Sequence, residues 1–124
     1  MKPEFKYSCT VTRVVDGDTI DCLVDLGFHT FIKERFRLFG IDTPEKNSKI
    51  PEVRDIAIRA TEFTKAKLEG KTVLIETVNK DKYGRWLGII YIDGVDQTIN
   101  EQLVINGLAK AYYGDNKELL GWEK

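Results

Sequence analysis

Five charged side chains stand where the sequence pattern would not ordinarily leave them. Asp18 opens a strand-like run on the parity of its apolar members Ile20 and Cys22, which directs its carboxylate toward one end of a core. Burying an ionised carboxylate costs several kcal/mol unless a cation or hydrogen-bond donors compensate it. Asp42 and Glu45 bracket Thr43 and Pro44 at the end of a second such run. There Pro44 fixes its own φ and keeps Thr43 extended, so two acids share one stiff loop. Arg37 lies on that second run, and Arg85 follows the turn "DKYG".

Taken singly, each has an ordinary reading: Asp18 as the cap of an Asp-Gly turn, "DTPE" as a turn before a helix, either arginine as an exposed strand residue. Taken together they are the parts needed to hydrolyse a phosphodiester. Two carboxylates with a backbone carbonyl suit a hard cation such as calcium or magnesium and not zinc. Two arginines can grip a phosphate bidentately, which lysine cannot do. A further carboxylate can take a proton from water.

The elements that must position these groups are legible as a series of short strands and two helices. "YSCTVTRVV" and "TIDCLVDL" alternate and are rich in β-branched residues, and Asp16-Gly17 between them predicts a hairpin whose glycine supplies a positive φ. "TFIKERFRLFGI" predicts a third strand, with Ile32, Phe36 and Leu38 opposite Lys33, Arg35 and Arg37, paired to the second in a meander. The stretch from Pro51 to Gly70 predicts one amphipathic helix of about four turns, with Val53, Ile56, Ala60 and Phe63 on its apolar face. "KTVLIETV" and "RWLGIIYI" predict two more strands. Thr98 and Glu101 have capping-box spacing at the start of a short second helix carrying Ile99, Leu103 and Val104 on one face and stopping at Gly107. The remainder is expected to be an extended segment with tyrosines and then a helical turn. Five antiparallel-looking strands with a helix between the third and fourth predict a mainly β (α+β) fold, a five-stranded OB-fold barrel with two to three helices, although other small α+β sheets have nearly the same element order.

Composition narrows the classes of function. A chain of 124 residues, 42% hydrophobic and 31% charged, fits a single domain over 1–124 with a real core. A net charge of -1 excludes coating nucleic acid by bulk positive charge, so a polyanion has to be held by a local basic site. No stretch has the length of an apolar membrane span, and "MKPEFKYSC" has no signal-peptide core, which leaves the compartment open. Two cysteines, Cys9 and Cys22, are too few for a disulfide framework or a zinc site of the C-x-x-C kind. Buried thiols are expected, with a disulfide as the alternative.

"VVDGDTI", "FRLFGIDTPE", "DKYGRWLG" and "NGLAKAYY" resemble, in this order, the motifs of the staphylococcal nuclease (thermonuclease) family, over roughly Thr10 to Tyr113. The resemblance implies a Ca2+-dependent nuclease acting on single- or double-stranded DNA and RNA, cleaving the P-O5′ bond to leave 3′-phosphates, and working as a monomer without a membrane. It implies Asp18 and Asp42 as calcium ligands with the Thr43 carbonyl, Glu45 as general base, and Arg37 and Arg85 as phosphate-gripping catalytic residues. It further implies that Asp16 shapes the turn behind the metal, that Lys82 and Tyr83 contact a terminal phosphate, and that Tyr113, or else Tyr112, stacks near a base. Either arginine replaced by alanine is expected to cost turnover and spare the fold. Asp115 stands where the family has a second tyrosine, and the long basic C-terminal helix of the family is not matched. The competing expectation is a non-catalytic binding module on the same barrel, a role in which the acids and arginines are characteristically lost.

Overall fold

The computed structural model describes residues 3–112. Alternating β-branched and apolar residues form β1 (Lys6–Asp16), β2 (Thr19–Asp25), β3 (Phe31–Leu38), β5 (Thr72–Lys80) and β6 (Trp86–Tyr91), which close into a barrel in the order β1-β2-β3-β6-β5. Two-residue strands β4 (Ile41–Asp42) and β7 (Lys110–Ala111) pair beside it, and helices α1 (Pro51–Leu68) and α2 (Ile99–Ile105) complete the described chain. The architecture is that of the expected mainly β, OB-type barrel. No helix among the described residues is long and apolar enough to cross a membrane.

Inward positions of every barrel strand meet in one core. Val11, Ile20, Leu38, Ile75 and Ile90 have no exposed surface, and Leu68 of α1 and Leu103 of α2 close the ends. Each such side chain contributes about 1.5–3 kcal/mol by leaving water. Cys9 and Cys22 sit in this core as free thiols.

Four local readings are corrected by the packing. The barrel is not wholly antiparallel, because β3 and β6 pair in parallel through Phe36 to Leu38 and Trp86 to Gly88. The third strand does not run through to Ile41: it breaks at Phe39-Gly40, where Gly40 takes φ +79°, and Ile41–Asp42 turns away to pair with Lys110–Ala111. The buried face of α1 is Val53, Ala57, Ala60, Thr64 and Leu68, with Ile56 and Phe63 only partly covered, because small residues let the helix lie close to the barrel. In α2 the capping box forms as expected, but Val104 is exposed and Asn100 is buried in its place.

Asn100 has a job there. Its amide nitrogen donates to the carbonyls of Phe39 (2.8 Å) and Gly88 (3.1 Å), and its oxygen accepts from the Ile90 nitrogen (3.1 Å). These are backbone groups beside the short parallel seam, and the Gly88 carbonyl there accepts a second bond besides the one from the Phe39 nitrogen at 2.8 Å.

Gly17 is required for a reason other than the expected one. It is absent from the positive-φ positions, and a Cβ on it would lie 2.8 Å from Ala60 Cβ and 3.0 Å from Thr43 Cγ2. The Gly17 carbonyl also accepts from Thr64 Oγ1 at 2.8 Å. The β1–β2 turn is therefore pressed between α1 and the loop after β4. Gly17→Ala should destabilise the protein by about 1–3 kcal/mol, the usual range for overpacking. Urea unfolding would measure it, and an unchanged midpoint would show that the turn is not pressed in this way.

Candidate active site

The turn held by Gly17 carries Asp18, whose side chain it aims at the start of the barrel. Asp18 is 5% exposed, and its oxygens accept from Thr19 Oγ1 (3.1 Å) and the Thr43 backbone nitrogen (3.1 Å). It is therefore a buried acid bonded across to the "DTPE" loop, and not the cap of its own turn. Asp42, 1% exposed, ends β4.

Arg37 joins the two acids. Thr19 pairs with Arg37 across β2 and β3, so the arginine lies beside Asp18 by register alone. Its Nη1 stands 3.4 Å from Asp18 Oδ2, and its Nη2 donates to Asp42 Oδ1 (2.8 Å) and the Ile41 carbonyl (3.2 Å). The guanidinium side chain is 11% exposed. Burial acts to lower its pKa, but the charges of Asp18 and Asp42 and the hydrogen bond to Asp42 outweigh this and raise it. Tyr112 lies 5.7 Å from the same guanidinium, ring centroid to carbon, with its nitrogen bonded to the Gly40 carbonyl at 2.8 Å.

Glu45 sits on the exposed loop beyond Pro44, where its carbonyl accepts from the Ser48 nitrogen at 3.2 Å. The next residue ties this loop back to the β1–β2 turn: Lys46 Nζ reaches Asp16 Oδ1 (3.0 Å) and the Val15 carbonyl (2.9 Å). Arg54 of α1 holds the loop's far end through the Ser48 carbonyl at 2.8 Å.

The opposite wall is the β5–β6 turn. Asp81 organises it, with Oδ1 accepting from the backbone nitrogens of Tyr83 (2.8 Å) and Arg85 (2.9 Å) and Oδ2 from Arg85 Nε (2.8 Å). Partial burial acts to raise the Asp81 pKa, but these hydrogen bonds prevail and hold it below the usual carboxylate range. Tyr83 is 72% exposed, with Lys82 Nζ 5.3 Å and the Arg85 guanidinium 5.4 Å from its ring centroid.

Both walls face one open cleft of about 1340 Å³. Nine of the ten residues singled out in the sequence (Asp16, Asp18, Arg37, Asp42, Thr43, Glu45, Lys82, Tyr83 and Arg85) line it together with Tyr112. Tyr113 and Asp115 lie outside the described residues, as does Trp122. Sequence reasoning missed Asp81 and Lys46. The signal for Asp81 was present in an Asp opening a turn four residues before an arginine, whereas Lys46 acts across a loop contact that no local pattern announces.

The donor chemistry can be tested against a metal. Asp18 and Asp42 flank one guanidinium, and with the Thr43 carbonyl they would make an all-oxygen donor set, which fits a hard cation and not a thiophilic one. Among the described residues no cluster of three or more His, Cys, Asp or Glu side chains is placed to hold a metal ion. A cation here would rest on two carboxylates and on oxygens that are not side-chain acids, a weak site by calcium standards.

Fold and cleft together define an OB-type barrel whose end carries buried acids facing arginines. Residues 35–123 match the family model described as staphylococcal nuclease homologue. The thermonuclease of Staphylococcus intermedius is 38% identical over 108 residues, which cover 86% of this chain and 60% of that protein. The thermonuclease of Staphylococcus hyicus is 35% identical over 105 residues, 83% of this chain and 58% of that protein. A protein of Escherichia coli O157:H7 named as an uncharacterized endonuclease is 36% identical over 103 residues, 82% of this chain and 59% of that protein. The chain belongs to the staphylococcal nuclease homologue family. It spans about 60% of the length of these curated relatives.

Proposed function

We propose that this chain is a Ca2+-dependent nuclease that hydrolyses phosphodiester bonds of DNA, RNA or both at the P-O5′ bond, leaving 3′-phosphates. The observation that carries the reading is the convergence on one cleft of two buried acids, Asp18 and Asp42, with Arg37, Glu45 and Arg85. The family's nuclease members and the thermonuclease names of two relatives support it.

In this reading the phosphate lies between the two walls. Asp18, Asp42 and the Thr43 carbonyl would hold Ca2+, which when bound supplies positive charge opposite the phosphate oxygens. Arg85 reaches in from the turn and donates to oxygens that gain charge as water adds to phosphorus. Glu45 orients that water or takes its proton as the new P-O bond forms, and O5′ departs and is protonated. Arg37 lies at the floor between acids and phosphate and exchanges part of its bonding from carboxylate to phosphate. Lys82 and Tyr83 bear on a neighbouring phosphate, and a tyrosine of the Tyr112-Tyr113 pair stacks on a base. With a net charge of -1, substrate retention depends on these local cations, so activity is expected to fall steeply with salt.

Digestion of single-stranded DNA with and without Ca2+ and EDTA tests the reading. The expected result is cleavage that needs Ca2+, stops with EDTA and leaves 3′-phosphate ends. A folded protein that binds DNA but never cuts it would instead identify a binding module.

A further inference from the structure

Arg37 and Arg85 are held in opposite ways. Arg37 has both terminal nitrogens turned onto acids. Arg85 is bonded at Nε by Asp81 Oδ2 (2.8 Å), and its two terminal nitrogens make no hydrogen bond to another described residue. Arg85 lines the cleft with a side chain 40% exposed. Free in water, an arginine side chain samples many rotamers, and fixing it costs entropy. Here that ordering is already done by one carboxylate, which also fixes the backbone of the turn at two nitrogens.

We propose that Asp81 is a positioning residue for the nuclease reaction: by holding Arg85 at Nε and leaving its two terminal nitrogens to other partners, it readies the fork for the phosphate before substrate arrives. This rests on the nuclease reading above and adds a residue to it. Asp81 itself touches no substrate. Asp81 borders the cleft, but both of its oxygens are covered by donors from Tyr83 and Arg85. An unshielded acid at this place would repel the substrate, so its complete engagement is part of the device.

The chemistry of asparagine separates the two things Asp81 does. In Asp81→Asn the amide oxygen can still accept from the Tyr83 and Arg85 backbone nitrogens, which keeps the turn. The amide nitrogen then faces Arg85 Nε, donor against donor, which releases the fork. The expected result is a folded protein with kcat on single-stranded DNA lowered about 10²-fold, the scale for misplacing a catalytic group by an ångström, and KM changed far less. In an Arg85→Ala background the same substitution should change kcat by less than about twofold, because there is no fork left to place. The Arg85 Nε–H resonance, slow to exchange in the parent protein, should become fast in Asp81→Asn. Asp81→Glu should recover part of the rate.

Full activity in folded Asp81→Asn, or an equal loss in both backgrounds, overturns the proposal while leaving the nuclease reading standing. A parent protein that cuts no nucleic acid under any divalent ion overturns both.

Discussion

Arg85→Ala is expected to lower turnover on DNA at least about 10³-fold and to leave the fold untouched. The size follows from what an arginine supplies in phosphoryl transfer, about 10³ to 10⁵ in kcat, when its fork meets charge that develops only in the transition state. The absence of a folding penalty follows from its setting. Its one side-chain ion pair is with Asp81 on a side chain 40% exposed, a class of interaction worth about 0–1 kcal/mol. Asp81 would keep its backbone donors at Tyr83 and residue 85. Turnover measured beside thermal unfolding checks both halves, and a folded variant within tenfold of the parent would remove Arg85 from the site.

Arg37→Ala should fail differently. Its guanidinium is the shared counter-charge of two carboxylates that are 5% and 1% exposed. Removing one member of a buried ion pair strands the other, typically at a cost of about 3–5 kcal/mol. The variant is therefore expected to lose both turnover and several kcal/mol of stability. Millimolar Ca2+ should return part of the stability if the two acids accept it, since a ligand bound only to the folded state stabilises that state. Urea unfolding with and without Ca2+ measures this. A variant as stable as the parent would mean that Asp18 and Asp42 do not depend on Arg37 for their counter-charge. The sequence suggested that the two arginines were interchangeable in this respect. Their burial separates them.

That difference illustrates what could be read in advance. The acids of the cleft were legible because each broke a local rule, Asp18 on an apolar parity, Asp42 and Glu45 around a stiff Thr-Pro, and the arginines only through their joint occurrence with them. The strands were legible because alternation reports which face is buried. What was not legible depended on partners distant in sequence. Gly17 looked like a turn glycine and is instead the point where Ala60 and Thr43 come too close for any side chain. Asn100 was not singled out in the sequence, and it bonds to the Phe39 carbonyl just past β3 and to Gly88 and Ile90 of β6. The parallel pairing of β3 with β6 could not be seen in either strand, since pattern gives faces and not directions.

The seam between β3 and β6 is three residue pairs long. It joins the strand that carries Arg37 to the strand that Arg85 precedes, so it sets the gauge of the cleft. Asn100 bridges that seam from outside the cleft and is not among the residues lining it. The span between the two walls of the cleft thus depends in part on a side chain that lies outside the cleft, and a change at α2 would register as a change in the distance between Arg37 and Arg85.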